Sequence, residues 1–194
     1  MNESRRFEDK VALITGAASG IGRAAARRLA AEGARVFGHD LNADGLAETA
    51  ALVAGAGGTM ETRAGDISQP AECRAAVATC VEAFGHLDVL GNNAGIARAD
   101  HVVDVTEDQY RRMMGVNVDG YFFTAQAAIP HLIRQGDGGS IVFTSSTAGL
   151  KGMANLPTTR RPSTAWSASR GRWRTNSRRT ASGSTPSTRR TSTP

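Results

Sequence analysis

Cys73 and Cys80 are the only cysteines in 194 residues, so a disulfide scaffold is excluded. They stand seven positions apart on an apparent helix, about two turns or ~10 Å along its axis. That is beyond disulfide reach, and C-x6-C is not a metal-ligand spacing. Both read as small buried apolar residues, and no metal site is expected. The chain also lacks a run of 18 apolar residues, so no membrane span is expected. Met1 to Lys10 is polar, without the apolar stretch of a signal peptide. The expectation is a cytoplasmic, reduced protein. Acidic residues are missing from one whole region. Residues 158–194 hold nine of the 23 Lys+Arg and none of the 18 Asp+Glu, a net +9 against −4 for the first 157. An ordinary single domain does not divide its charge this way.

Residues 10–150 alternate short apolar runs with helical periods. Val11 to Ile14 is apolar on every position, as suits a parallel strand covered on both faces. Ile21, Ala25 and Leu29 then recur every four residues and predict an apolar helix face, with Gly33 as its stop. Arg35 to His39 reads as a second strand ending at Asp40; Leu46, Ala50 and Val53 mark a second helix; Thr59 to Ala64 is a mixed strand. Pro70 opens a third helix with the stripe Cys73, Val77, Cys80, Val81 and Phe84, and Leu87 to Leu90 is a fourth strand. Thr106 with Glu107 and Asp108 has the form of an N-cap and acidic first turn, before a long helix with Val118, Phe122, Ala125 and Ile129 on one side. Ser140 to Thr144 is the fifth strand. The pattern predicts an α/β fold, a Rossmann-like doubly wound parallel sheet over residues 1–157. Residues 158–194, with 17 Ser+Thr and nine Arg in 37 positions, show no helical or strand period. That basic tail is expected to be disordered.

Thr15-Gly16-Ala17-Ala18-Ser19-Gly20-Ile21-Gly22 falls between the first strand and first helix, where a pyrophosphate-binding turn belongs. Gly16 allows a tight turn, Gly20 lets backbone amides approach phosphate, and Gly22 permits close helix–strand packing. The helix N-terminus adds unpaired N–H groups and a positive dipole end. Asp40 follows the second strand, 18 residues after Gly22. A carboxylate there accepts hydrogen bonds from both ribose hydroxyls of NAD and repels the 2′-phosphate of NADP. No Arg or Lys stands in Gly38 to Asn42 to offset that, and Ser19 brings no positive charge. NAD is therefore favoured over NADP; the bland alternative for Asp40 is an exposed turn aspartate.

With these motifs in place, residues 7–157 resemble the classical short-chain dehydrogenase/reductase family. The resemblance is carried by the glycine turn, Gly65-Asp66-Ile67, Asn92-Asn93-Ala94-Gly95, Asn117 in Val116-Asn117-Val118, and Ile141 to Ser146. It implies hydride transfer between NAD and a small alcohol or ketone. Asp66 would bond the adenine amino group while Ile67 packs nearby. Asn93, Ala94 and Gly95 would line the cofactor; Ser146 would hold the substrate oxygen; Asn117 would distort its helix and hold a relay water. Without the family, Asn93 also reads as a turn residue and Ser146 as a strand cap.

The pattern breaks where the family places its base, a tyrosine about a dozen residues after the serine and a lysine four residues later. The chemistry needs both, because an adjacent ammonium lowers a phenol pKa of about 10 into a useful range. Here Thr159 and Ser163 stand at those places, Lys151 is too close to Ser146, and the only tyrosines are Tyr110 and Tyr121. Shifting the reading frame by one base from Thr158 admits a tyrosine at position 159, a lysine at 163 and the rest of the family's second half in order. A one-base deletion shortly before codon 159 is the expectation, and one permitted reading resembles a mycofactocin-associated or carveol-type alcohol dehydrogenase. The fifth strand would then be a bare sheet edge. The family's homo-oligomer interface would lose a helix, and the product would be poorly soluble or molten. Two further readings compete: a non-catalytic dinucleotide-binding remnant, and nucleic-acid binding through the tail. A shifted frame in GC-rich DNA yields Arg, Ser, Thr and Pro without purpose, so no specific nucleic acid is expected as a partner, and no membrane.

Overall fold

A computed structural model describes residues 5–146 of the chain. Its elements are β1 (Val11–Thr15), α1 (Gly20–Ala31), β2 (Arg35–Asp40), α2 (Ala43–Gly55), β3 (Thr59–Ala64), α3 (Pro70–Phe84) and β4 (Val89–Asn92). A 3-10 turn (Val102–Asp104), α4 (Glu107–Met114), a π-helical turn (Gly115–Asp119), α5 (Gly120–Gln135) and β5 (Ser140–Phe143) follow. The charge boundary at 157, the 158–194 tail, Lys151, Thr159 and Ser163 all lie outside the described residues.

The strands form one sheet in the order β3-β2-β1-β4-β5, and every pairing is parallel. Alternation along β1 feeds two cores. Ala12 and Ile14 pack with Ala26, Ala30, Leu46 and Val53 of α1 and α2 on one face. Val11 and Leu13 pack with Val77, Cys80, Ala125 and Leu132 of α3 and α5 on the other. This is the expected Rossmann-like architecture, with helices wound onto both faces. Cys73 and Cys80 are buried and free, as expected. Pro70 opens α3, and Thr106 forms a capping box with Gln109 at the start of α4.

Three expectations need correction. In α1 the sheet-facing residues are Gly22, Ala26 and Ala30, one position round from Ile21, Ala25 and Leu29, and Ile21 is exposed. In α5 the buried face is Tyr121, Thr124, Ala125, Ala128 and Leu132; of the expected stripe, Phe122 and Ile129 are exposed and only Ala125 belongs to the core. In α1 Gly22, Ala26 and Ala30 face the sheet, and in α5 Thr124, Ala125 and Ala128 do so between Tyr121 and Leu132, while Ile21, Phe122 and Ile129 face outward. The long helix is also broken by the π turn, whose wider winding shifts the phase after Gly115. Lastly, β4 begins two residues later than expected. The Leu87 N–H donates to Gln135 Oε1 (3.0 Å) and its carbonyl accepts from Gln135 Nε2 (2.8 Å), so a side chain of α5 takes the place of a strand partner.

Candidate functional site

Strand order reverses at β1: the chain proceeds outward to β2 and β3, then returns to the other side for β4. Open α/β sheets place ligands in the crevice at such a switch point, beyond the carboxyl ends of the strands. A cleft of ≈ 540 Å³ lies there.

The glycine turn forms one wall. Gly16, Ser19, Gly20 and Ile21 line the cleft, and Gly22 lies beneath them, where a Cβ would run into the Gly16 carbonyl. Gly16 and Gly20 have φ of 71° and 53°, the left-handed region that favours glycine. The turn is held from several sides. The N–H groups of Gly16 and Ala17 donate to the His39 carbonyl (2.8 and 3.3 Å). Thr49 Oγ1 donates to the Ala17 carbonyl (3.0 Å), and Arg23 donates to Thr49 and to the Ala18 carbonyl. Ser19, the N-cap of α1, makes no side-chain cap bond, and the first turn contains no acid. The first amides of α1 are thus left open to an anion entering the cleft.

A second wall is built by the ends of β2 and β3. Asp40 accepts from Ala18 N–H at Oδ2 and from Asn42 N–H at Oδ1, both 3.0 Å. Those bonds aim its carboxylate across the mouth of the glycine turn. The Gly65 N–H donates to the Asp40 carbonyl (2.9 Å), tying the Asp66-Ile67 segment to β2; both residues line the cleft. Burial works to raise the Asp66 carboxyl pKa, but hydrogen bonds from Arg112 and Ser68 outweigh it and hold the pKa below the usual range. Beneath this wall the buried His39 meets Glu72 Oε1 (3.3 Å), which also accepts from Arg63 Nε (2.6 Å).

Asn93, Ala94 and Gly95 line the third wall. Thr15 Oγ1 accepts from the N–H groups of Asn93 (3.0 Å) and Ala94 (3.1 Å). Asn93 Nδ2 donates back to the Thr15 carbonyl (3.2 Å), and its Oδ1 accepts from Thr144 Oγ1 (3.2 Å). One asparagine therefore staples the ends of β1, β4 and β5. Asn117 sits in the π turn, its Oδ1 accepting from Ile96 N–H (2.9 Å) and its Nδ2 donating to the Ile96 carbonyl (2.8 Å). Beyond β5, Thr144 lines the cleft and Ser146 stands exposed two residues further on. Tyr110 is an exposed residue of α4. Burial pushes the Tyr121 phenol up to about 12, and it donates to the Thr144 carbonyl (3.2 Å).

Thr15, Thr49, His39 and Arg112 were not found by sequence reasoning. Each acts through a partner 22 or more residues away, and no local period or motif marks such a pair. Thr15 alone carried a signal, as the residue between a buried strand and the glycine turn.

A family profile described as short chain dehydrogenase matches residues 10–158. An uncharacterized oxidoreductase of Mycobacterium tuberculosis is 44% identical over 163 residues, covering 78% of this chain and 58% of the relative. An L-rhamnose 1-dehydrogenase (NAD(P)(+)) of Azotobacter vinelandii is 42% identical over 150 residues, covering 75% and 59%. Among solved structures, carveol dehydrogenase from Mycobacterium avium in complex with NAD superposes with a TM-score of 0.78 at 32% identity, covering 84% of this chain and 66% of that one. The chain spans less than two thirds of the length of the relatives it matches.

Proposed function

The chain belongs to the short-chain dehydrogenase family, and from that membership we propose that its described residues form an NAD site whose oxidoreductase chemistry is impaired in this copy. One observation carries the cofactor reading: the uncapped N-terminus of α1 and the Asp40 carboxylate face a single cleft. The helix end suits a pyrophosphate and the carboxylate suits paired ribose hydroxyls, so the residues present fit the dinucleotide. Gly16, Ser19, Gly20, Ile21 and Gly22 would take the phosphates through backbone amides, and Asp40 would take the ribose. Asp66 and Ile67 would hold the adenine, and Asn93, Ala94 and Gly95 the remainder. Asp40 also favours NAD over NADP by charge repulsion.

Bound NAD supplies the hydride acceptor for an alcohol, or as NADH the donor for a ketone. This chain's residues would have to hold the substrate oxygen and take its proton. Ser146 is the candidate for the first task, and Asn117 for steadying a relay water beside the Ile96 loop. The second task has no candidate, because Thr159 and Ser163 occupy the positions of the family's tyrosine and lysine. Loss of general acid–base catalysis alone costs about 10²–10⁴-fold. The alternative, a dinucleotide-binding remnant without turnover, follows if nothing replaces the lost base.

Two measurements on the chain as written test this reading. Calorimetric titration is expected to show NAD bound more tightly than NADP. NAD reduction with a panel of secondary alcohols, carveol included, is expected to be lower by about 10²-fold or more than in a version whose frame is restored after codon 157. Equal turnover in both versions overturns the impairment, and absence of dinucleotide binding overturns the cofactor reading. The nucleotide sequence around codons 150–165 decides the deletion directly.

A further inference from the structure

Three consecutive amides of the glycine turn are held by the end of β2. The Gly16 and Ala17 N–H groups donate to the His39 carbonyl, and the Ala18 N–H donates to Asp40 Oδ2. His39 and Asp40 both line the cleft. The His39 side chain is buried, in the row that pairs it with Thr15 of β1 and Arg63 of β3. Its Nε2 stands 3.3 Å from Glu72 Oε1 of α3. An ionised carboxylate only accepts, so in the neutral ring Nε2 carries the hydrogen and Nδ1 is bare. Nδ1 is buried and has no hydrogen-bond partner among the described residues. Three charged groups face the ring: Glu72 from α3, Arg63 from β3, and Asp40 from β2 itself. Burial sets the balance against a charged ring and Arg63 works in the same direction, while Glu72 and Asp40 oppose it. A proton added to Nδ1 would create a buried N–H with no acceptor among these residues, which is costly. Moving the ring relieves that cost, and the ring sits on the residue whose carbonyl holds the turn.

We propose that His39 is a positioning residue of the dinucleotide site: its neutral ring keeps the glycine turn and the Asp40 carboxylate in register, so that protonation of the ring and binding of the dinucleotide oppose each other. This rests on the dinucleotide reading above and adds to it a residue that acts through the turn rather than on the ligand. The amides that suit a pyrophosphate and the carboxylate that suits a ribose both hang from positions 39 and 40. A bound dinucleotide spans the two and resists any shift between them. The complex therefore refuses a proton at a pH where the free chain accepts it. Binding to a protonated chain expels one proton from Nδ1 to solvent, and by reciprocity the proton weakens binding by the same factor. The sign follows: affinity is complete above the ordinary histidine value and falls as the pH drops through that of the free chain, which lies below 6.5.

Calorimetric titration with NAD between about pH 8 and 5.5, in buffers of different ionisation enthalpy, reads affinity and proton release together. It is applied to the wild-type chain, His39→Gln and Glu72→Gln. In the wild type the dissociation constant is expected to rise about two- to fivefold toward the acid end, with proton release on binding there and none at the alkaline end. His39→Gln keeps a side-chain donor for Glu72 and cannot be charged in this range. Its dissociation constant should stay level with pH, and binding should release no proton. Glu72→Gln removes a group that favours the charged ring, so the loss of affinity should move to lower pH. A histidine with only a structural role would, when replaced, weaken NAD binding equally at every pH and leave the wild-type slope in place. That result overturns the role of His39 while leaving the dinucleotide site standing. So does a wild-type affinity that is level or rises as the pH falls, or an unshifted profile in Glu72→Gln. A wild-type chain that binds no NAD at the alkaline end overturns that site and this inference with it.

Discussion

Strand β1 is paired on both sides, by β2 and β4, and all five of its residues are buried. Among the described residues β5 is paired only with β4, and its residues alternate between exposed and half-buried. Both are short apolar strands that deliver a motif to the same cleft. The end of β1 passes into a turn held by His39, Thr49, Arg23 and Asp40, whereas the end of β5 leads through Thr144 to an exposed Ser146. The end of β1 is thus cross-braced by bonds between distant residues, and the end of β5 is tied back through Asn92, Asn93 and Tyr121. An apolar run identifies a strand, but its depth is set by how many neighbours the sheet supplies.

The largest effect that would sharpen this contrast is in the core. Leu13→Ala removes a side chain packed between α3 and α5 and should cost about 2–5 kcal/mol. Val142→Ala on β5 should stay within about 0.5 kcal/mol, as for other exposed positions. Urea unfolding of the two variants compares them directly. Equal small effects would mean a molten chain in which β1 is no better packed than β5, and the distinction between the two ends would fail.

Next in size is Gly22→Ala. A Cβ there strikes the Gly16 carbonyl, which is backbone and cannot swing aside. The expected destabilisation is about 1–3 kcal/mol, together with loss of NAD binding because the phosphate turn itself must move. A variant that binds NAD normally would show that the turn is looser than its hydrogen bonds imply.

The smallest effect comes with acid. Burial holds the His39 pKa below the ordinary histidine value, against the opposing influence of Glu72. Below about pH 6.5 the unfolded chain takes up a proton that the folded chain refuses. The contribution of His39 is therefore complete above that pH and is lost as the pH falls toward the folded value. Arg63 keeps the Glu72 carboxyl below its usual range, as Arg112 and Ser68 do for Asp66 against burial. Those contributions are present above the ordinary carboxylate range and fade only at lower pH. Urea midpoints should be level from pH 8 to 7 and begin to decline below about 6.5. His39→Gln should remove the first part of the decline, and an unaltered curve would place its origin elsewhere.

Much of the fold was legible because two periods are hard to counterfeit. The alternation of apolar runs with helical spacing, punctuated by Gly33, Gly55 to Gly58 and Pro70, placed every strand to within two residues. Sidedness was less legible. Periodicity weights a residue by how apolar it is, while packing against a sheet selects for smallness, so Ala26, Ala30, Thr124 and Ala128 went inward and Ile21, Phe122 and Ile129 outward. Within the site, the glycines and Asp40 stand beside their own strands and could be recognised from spacing. Arg112 could not, because nothing within α4 refers to Asp66.

The order of strands and helices, the phosphate turn and the lack of a tyrosine at 159 and a lysine at 163 follow from the chain read one residue after another, since each depends on local chemistry. Folding decided the rest: which helix faces meet the sheet, how Asn93 joins three strand ends, and which cation restrains Asp66. Those outcomes depend on distances between residues far apart in the chain, and such distances exist only once the sheet has brought its strands side by side.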